Sequence, residues 1–396
     1  MPYAAGIDLG TTATAAAVCR DGRAEIVPLG GAAAVIPSVV FAKEDGSALV
    51  GDAAARQAAL SGPGRLAREF KRRVGDPTPL LLGGAPWSAE ALMARLLRWT
   101  LEAVTEQEGE PPARVAVTHP ANWGPYKVDL LTQAVRLAEV KVDRYLTEPE
   151  AAAIAYAANE RVEPGHIVAV YDLGGGTFDA AVLRTTVNGF EILGEPEGVE
   201  RLGGADFDQA VLAHVATALD GAIEALRPND PAVLGALARL RLACVDAKEA
   251  LSTGTDASVP VMFPGIASQV VIRRPEFEAM VRPPIAETVS ALRRALRSAG
   301  VTPEQVGSVL LVGGSSRIPL VADMVGRELG RPVSVDAHPK HVVALGAALF
   351  AADVRVVATP AGERASAPPP SVKAGDIARA EPSTPSPNRP IAAPLA

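Results

Sequence analysis

Short apolar runs alternate with longer stretches of helical periodicity along most of this chain of 396 residues. Leu92, Leu96 and Leu101 follow Ser88 at helical spacing, and serine is a residue type that caps helix N-termini, so a helix is predicted from Ser88 onward. The same periodicity predicts further helices over residues 51–60, 126–138, 148–159, 207–226, 233–251, 275–299 and 341–351, with another helix start at Thr302. Apolar runs predict strands over residues 4–28, 114–118, 166–171, 259–263, 269–272 and 309–312. The alternation indicates an α/β fold in two lobes.

Two stretches of the chain, residues 6–12 (GIDLGTT) and 171–179 (YDLGGGTFD), are variants of one pattern. Each leads from an apolar strand through Asp-Leu-Gly into glycine and threonine, and then into a second strand and an Asp-Gly or Asn-Gly hairpin turn. Glycine lacks a Cβ, which lets backbone N–H groups approach an anion. The glycines of the two loops are Gly10, Gly174, Gly175 and Gly176. The repetition predicts duplicated lobes that hold a polyphosphate from both sides.

Three aspartates, Asp8, Asp172 and Asp179, belong to these paired loops. If the lobes face each other, the three carboxylates converge beside glycine-lined backbone. Such oxygen ligands suit Mg²⁺, which keeps several waters and binds few protein groups directly. The threonines that can donate hydrogen bonds to phosphate oxygens are Thr11, Thr12 and Thr177. The loops therefore predict a site for Mg²⁺ and a phosphate-bearing ligand.

Three other segments have several interpretations when each is taken alone. Lys71 lies in the charged run EFKRR, which is typical of a solvated face, and Glu148 begins a predicted helix, where an acid complements the helix dipole. Gly313 and Gly314 follow a buried strand, so their backbone can approach a nucleoside, and Arg317 can stack on a flat base. The histidines show no spacing typical of metal ligands, which favours surface or turn positions for them.

Taken together, these motifs resemble a known family. Residues 8–12, 70–72, 148–153, 172–179, 202–208, 248–252 and 312–319 occur in the order found in DnaK-type seventy-kilodalton heat-shock chaperones. The resemblance is to their ATPase domain and extends over residues 3–357. It implies the two-lobed α/β fold of the actin and sugar-kinase superfamily, with duplicated mixed-sheet lobes and a nucleotide cleft between them. The expected domains are lobe I at 1–165 with a reduced upper subdomain at 37–111, lobe II at 166–357 with an upper subdomain at 202–283, and a disordered proline-rich tail at 358–396.

The resemblance also implies an activity, which is the binding of ATP and its slow Mg²⁺-dependent hydrolysis to ADP and phosphate as a conformational switch. By resemblance, Lys71 positions the attacking water, and Thr11 and Thr177 line the phosphates. Mg²⁺ and its waters are arranged by Asp8, Glu148, Asp172 and Asp179. The nucleoside pocket is lined by Gly203, Gly204, Lys248, Ser252, Gly314, Ser315 and Arg317. Pro120 matches a proline that relays the nucleotide state to the interlobe surface.

The chain departs from the family pattern at several places. Val245 and Glu249 stand where the family has Glu and a base-flanking Arg, and Lys340 and His341 replace an Asp-Glu pair. The segment between residues 71 and 120 is shorter than usual. Residues 353–357 are a degraded form of the interdomain linker, and the proline-rich residues after them do not resemble a peptide-binding domain. We therefore expect the switch to act on a separate protein partner or cochaperone.

The composition limits the partners further. A net charge of −7 and a pI near 5.4 argue against nucleic acid as a main partner. Cys19 and Cys244 lie in apolar surroundings, which predicts buried free thiols. No signal peptide and no membrane-spanning run is found, so a monomeric cytoplasmic protein is expected. Two other functions stay open: a small-molecule kinase of the same superfamily, and a non-catalytic pseudo-ATPase that acts as an interaction module.

Overall fold

Two mixed β-sheets built on the same plan organise the protein, as seen in a computed structural model. It describes residues 2–30, 34–160, 162–187, 189–223, 226, 230–331, 333–335 and 341–354. The predicted tail at 358–396, Lys340 and Asn188 of the second predicted turn lie outside the described residues.

The first lobe contains a six-stranded sheet and the helices that cover it. Its elements are β1 Ala4–Leu9, β2 Ala13–Arg20, β3 Arg23–Val27, β4 Ile36–Pro37, β5 Val40–Ala42, β6 Ala48–Val50, α1 Gly51–Ser61, β7 Leu66–Ala67, β8 Leu80–Leu82, β9 Ala85–Trp87, α2 Ala89–Glu108, β10 Arg114–His119, α3 Pro125–Ala138, β11 Arg144–Thr147 and α4 Glu148–Asn159. The sheet runs β11-β10-β1-β2-β3, with β4 paired to β2. β1 pairs with β10 in parallel and with β2 in antiparallel orientation.

The second lobe repeats this plan. Its elements are β12 Ile167–Leu173, β13 Phe178–Thr186, β14 Gly189–Val199, α5 Gly204–Ala218, α6 Pro231–Ala250, β15 Asp256–Phe263, β16 Ile266–Arg273, α7 Arg274–Ser298, β17 Ser308–Val312, α8 Pro319–Leu329, β18 Ser334–Val335 and α9 Val342–Ala351. The sheet order β14-β13-β12-β17-β18 mirrors that of the first lobe. β12 has an antiparallel neighbour on one side, β13, and a parallel neighbour on the other, β17. The sheet plan confirms the duplicated α/β architecture predicted from the paired loops.

Helices α4 and α9 connect the two lobes. α4 follows the last strand of the first sheet but packs on β12 to β14, whereas α9 follows the last strand of the second sheet and packs on β1 to β3. The two helices also pack against each other, and their contact surfaces are rich in small residues such as Ala151 and Ala347. A Cβ added to Gly346 would lie 1.7 Å from the carbonyl oxygen of Ala151. Gly346 therefore permits a helix crossing that no larger residue allows at this separation.

Residues on both faces of the first sheet are buried. Ile7 and Val18 belong to the core under α2 and α3, whereas Ala17 and Cys19 belong to the alanine-rich core under α4 and α9. This alternation follows from the period of two along a strand. Cys19 and Cys244 are both buried free thiols, as predicted. None of the helices within the described residues is long and apolar enough to cross a membrane.

Two helix predictions were wrong in extent. The helix predicted over 207–226 ends at Ala218, because Asp220 and Gly221 adopt positive φ angles of 50° and 77°. The helix start predicted at Thr302 gives only the 3-10 turn Pro303–Gln305. A Cβ on Gly307 would lie 2.2 Å from the His166 ring, so the chain is packed tightly against the second lobe as it enters β17.

Candidate functional site

The two glycine-threonine loops of the repeated pattern meet face to face. A Cβ on Gly175 would lie 2.0 Å from the hydroxyl oxygen of Thr12, and one on Gly176 would lie 2.2 Å from a side-chain carbon of Thr11. β1 and β12 are the central strands of the two sheets, so the loops that follow them come from opposite lobes. The structure thus brings together the segments that the sequence predicted to share a phosphate.

The three predicted aspartates lie beside this contact. Asp8 is near the end of β1, and Asp172 is near the end of β12, where it pairs across the sheet with Asp179 of β13. Asp172 and Asp179 are buried, and Asp8 is partly exposed. The hydroxyl of Thr118 on β10 donates a long hydrogen bond of 3.4 Å to Asp8. The carboxylates therefore line one polar region at the junction of the sheets.

A buried ion pair completes this region. The ammonium group of Lys71 donates to a carboxylate oxygen of Glu148 at 2.6 Å, and the two side chains are only 5% and 9% exposed. Lys71 belongs to the 3-10 turn Phe70–Arg73, and Glu148 is the first residue of α4. Trp123 covers the pair, with its ring centroid 5.9 Å from the ammonium nitrogen. The interpretation of the Lys71 segment as a solvated face was wrong for Lys71, which is buried. Its partner, Glu148, is distant in the sequence, so the local pattern could not show this.

Crowding of carboxylates raises their pKa values. Burial, followed by the negative charge of Glu148, raises the pKa of Asp8 to about 7 and that of Asp179 to about 8. Burial and repulsion by Glu148 and the other aspartates hold the pKa of Asp172 well above its usual value. Burial alone would lower the pKa of Lys71, but the surrounding carboxylates outweigh it and raise that pKa. One cation thus faces four acids, which cannot all be ionised at neutral pH unless a further cation joins them.

This excess of acidic groups over basic ones fits a hydrated cation. One carboxylate oxygen of Asp179 is buried and has no hydrogen-bond partner. In the part of the chain that the structure describes, no three acidic, histidine or cysteine side chains are grouped closely enough to ligate a metal directly. Mg²⁺ binds mostly through its waters and needs few direct protein ligands, so the donor set suits it.

A second group of predicted residues surrounds the start of α5. The ammonium of Lys248 contacts Asp208 at 2.7 Å and donates to the carbonyl of Gly204 at 3.3 Å. The hydroxyl of Ser315 donates to the carbonyl of Gly174 at 2.9 Å. A Cβ on Gly204 would lie 2.8 Å from that hydroxyl. The two predicted parts of the site, phosphate loop and nucleoside pocket, are therefore in direct contact.

The remaining predicted residues are less engaged. Gly203 packs against the phosphate loop, where an added Cβ would lie 2.6 Å from the amide nitrogen of Gly176. Gly313 has φ of 81°, and an added Cβ would lie 2.5 Å from Asp172. Arg317 is exposed, and its guanidinium has no hydrogen bond or ion pair with the described residues. Gly10 follows β1 and Gly314 begins the 3-10 turn Gly314–Arg317, while the side chains of Thr177 and Ser252 form no hydrogen bond with the described residues.

Arg72, for which the sequence predicted no role, joins the two lobes. Its guanidinium donates to the carbonyl of Gly176 at 2.7 Å and to Asp206 at 2.6 Å, and it also bonds Glu69 at 2.9 Å. Asp206 in turn accepts from the backbone N–H of Gly203 at 2.8 Å. The Phe-Lys-Arg motif contained the signal, but the partners of Arg72 come from the other lobe.

The raised carboxylate pKa values predict a pH-dependent stability in the absence of metal. Between pH 3.8, the usual pKa of an aspartate, and about pH 8, Asp179 is protonated in the native chain but ionised in the unfolded chain. The native state therefore binds more protons in this window, so the free energy of unfolding falls as pH rises through it. Asp179→Asn mimics the protonated form. We expect it to raise the free energy of unfolding at pH 9 by about 0.5–2 kcal/mol and to change it little at pH 5.

Urea unfolding in EDTA at both pH values measures this difference. Asp45→Asn is the matched control, because Asp45 is exposed and its pKa is lowered by hydrogen bonds from Ser47, so it does not titrate in this window. If Asp179→Asn and the wild type lose stability equally between pH 5 and pH 9, the assignment of this pH dependence to Asp179 is wrong.

The chain also matches a known protein family. A family model described as Hsp70 protein matches residues 4–79 and 81–359 of this chain. The match begins in β1 and extends past α9, so it includes both sheets, the two connecting helices and every site residue described above.

Proposed function

Since this chain belongs to the Hsp70 family, whose fold is the two-lobed actin-like ATPase fold, we propose that it binds Mg-ATP and slowly hydrolyses it to ADP and phosphate. The nucleotide lies between a lobe I at residues 1–165 and a lobe II at residues 166–357, with upper subdomains at 37–111 and 202–283. The observation that supports this most is the buried Lys71–Glu148 pair beside the contact of the two glycine-threonine loops.

Phosphoryl transfer to water needs positioning and charge neutralisation more than covalent help from the protein. In this proposal the ammonium of Lys71 holds the attacking water, and Glu148 fixes the direction in which that ammonium points. Because the pKa of Lys71 is raised, the group stays a donor at neutral pH. Trp123 shields the pair from bulk water.

The two loops hold the phosphates. Backbone N–H groups after Gly10 and Gly174, together with the hydroxyls of Thr11, Thr12 and Thr177, donate to phosphate oxygens. Asp8, Asp172 and Asp179 would hold Mg²⁺ through its waters. When bound, Mg²⁺ neutralises charge on the phosphates and offsets the excess of negative charge in this region.

The nucleoside side of the site is formed by lobe II. Gly203, Gly204 and Gly313 let the backbone approach the ligand, and Lys248 and Ser315 border it. Ser252, Gly314 and Arg317 complete the pocket, with the exposed guanidinium of Arg317 stacking on the base. With Glu249 in place of a second cation, Arg317 is the single base clamp that we propose.

We also propose that the chain acts as a conformational switch. Two rigid lobes that contact each other through α4 and α9 can change their closure angle about this crossing, which is a hinge motion. Arg72 of lobe I donates hydrogen bonds to Asp206 of lobe II and to the carbonyl of Gly176 in the phosphate loop, so these bonds change when the loop binds phosphate. Pro120, beside Trp123, relays the change to the surface, where a protein partner or cochaperone reads it.

Calorimetry of Mg-ATP binding to the purified chain tests this function. Gly175→Ala should weaken binding strongly, because the added Cβ overlaps Thr12, whereas Gly64→Ala should not, because nothing lies within 4 Å of its Cβ position. Absence of adenine-nucleotide binding at millimolar concentration would contradict the proposal. Phosphate transferred to sugars or acids indicates the kinase alternative, and binding without turnover indicates the pseudo-ATPase.

A further inference from the structure

An arginine-lined crevice lies next to the proposed nucleotide site but outside it. It has a volume of about 420 Å³ and is lined by Arg68, Glu69, Arg72, Arg73, Asp76, Leu80 and Arg201. Arg201 belongs to lobe II, and the other lining residues belong to lobe I. The crevice therefore crosses the boundary between the lobes.

Only part of the positive charge in this crevice is compensated. Arg72 bonds Glu69 and Asp206, and Arg73 bonds Asp76 at 2.7 Å. These pairs use both acidic residues that line the crevice. Arg68 and Arg201 have no hydrogen bond or ion pair with any residue that the structure describes. The guanidinium groups of Arg68 and Arg201 thus form no direct ion pair in this concave surface, and Glu69, whose charge acts on Arg68, is already bonded to Arg72.

A third arginine increases this local excess. Burial lowers the pKa of Arg68, the negative charge of Glu69 opposes this, and the positive charge of Arg241 of α6, in lobe II, adds a smaller lowering. Like charges brought together across a boundary are unfavourable unless an anion lies between them. The chain as a whole has a net charge of −7, so this patch is opposite in sign to the rest of the protein.

We infer that this crevice binds a small phosphate-class oxyanion that bridges the two lobes. Guanidinium groups form paired, charge-assisted hydrogen bonds with phosphate and carboxylate oxygens. A tetrahedral dianion presents oxygens in opposite directions, so one ion can accept from Arg68 and from Arg201 at the same time. A carboxylate presents both oxygens on one side, which favours phosphate over an acidic side chain.

The anion is also linked to closure. Arg72 lines the crevice and also donates a hydrogen bond to the carbonyl of Gly176. An anion that contacts both lobes stabilises the closed arrangement, and anything that stabilises closure raises the affinity for the anion by the same factor. Binding of the anion itself does not depend on the proposed hydrolysis of ATP.

Calorimetric titration of the nucleotide-free full chain with inorganic phosphate, at constant ionic strength, tests the inference. The wild type should bind phosphate, Arg68→Gln and Arg201→Gln should each weaken binding about tenfold, and the double variant about a hundredfold. The matched control is the double variant Arg56→Gln, Arg95→Gln, which removes two exposed arginines that do not line the crevice and should bind like the wild type.

Three results would overturn the inference. The first is no phosphate binding by the wild type at millimolar concentration. The second is equal binding by the wild type and the Arg68→Gln, Arg201→Gln variant, which places phosphate in the nucleotide cleft instead. The third is binding of a poly-glutamate peptide without binding of phosphate, which identifies an acidic protein segment as the ligand. Unfolding curves like those of the wild type confirm that the variants fold.

Discussion

Lys71→Ala is expected to abolish ATP hydrolysis while ATP still binds. The ammonium of Lys71 is bonded to Glu148 and is surrounded by acidic groups, so its loss removes the donor that we propose holds the attacking water. Removing a single preorganised donor of this kind costs about 10²–10³-fold in turnover. The phosphate loops and the nucleoside pocket do not depend on Lys71, so nucleotide affinity should change little. Single-turnover assays and calorimetry on the same preparation measure the two quantities.

The stability of this variant separates catalysis from folding. Lys71→Ala leaves Glu148 buried and unpaired, which costs about 3–5 kcal/mol of unfolding free energy. Adding Glu148→Gln removes that charge and should restore much of the stability but none of the turnover. Lys127→Ala is the matched control, because Lys127 forms an ion pair with the exposed Glu200. Undiminished turnover in a folded Lys71→Ala variant contradicts the role assigned to this residue.

Gly346→Ala is expected to destabilise the fold strongly without touching the proposed site. The added methyl group would lie 1.7 Å from the carbonyl oxygen of Ala151 and close to the backbone of α4, so the two helices must move apart. Overpacking of a core costs typically 1–3 kcal/mol and occasionally more, and a clash with backbone leads us to expect a loss of about 3 kcal/mol or more. The midpoint of urea unfolding measures it.

The control for this prediction is the same substitution in another helix. Gly235 lies in α6, where an added Cβ meets only the flexible end of Arg239 at 3.6 Å. Gly235→Ala should therefore stabilise the chain by about 0.5–1 kcal/mol, since alanine is the better helix former. If Gly346→Ala is as stable as Gly235→Ala, the close crossing of α4 and α9 does not hold the lobes together.

Much of the fold and part of the site could be predicted from local pattern. The loops that contain Asp8 and Asp172 end strands of unmistakable apolar character, and glycine after aspartate marks the turn. The cap at Ser88 and the boundaries of α4 follow from rules that act over three or four residues. Such features depend on neighbours in the sequence, and the structure has them where they were expected.

Features that depend on distant residues could not be predicted in this way. The local sequence indicates a solvated Lys71, because its partner Glu148 is 77 positions away and only the fold brings the two together. Arg72 finds Gly176 and Asp206 in the other lobe. The apolar sequence around Gly346 indicates a buried helix, but it does not show that the backbone of α4 lies against this glycine. The arginines of the interlobe crevice likewise come together only when both lobes are folded, since Arg68 belongs to lobe I and Arg201 to lobe II.

Release of phosphate from ATP by the purified chain tests the central claim most directly. We expect slow conversion of bound ATP to equal amounts of ADP and phosphate with Mg²⁺ present, none in EDTA, and no dependence on an added acceptor. The contrary result is ATP that stays intact on a chain that has bound it with Mg²⁺, or phosphate that passes to a sugar or acid rather than to water.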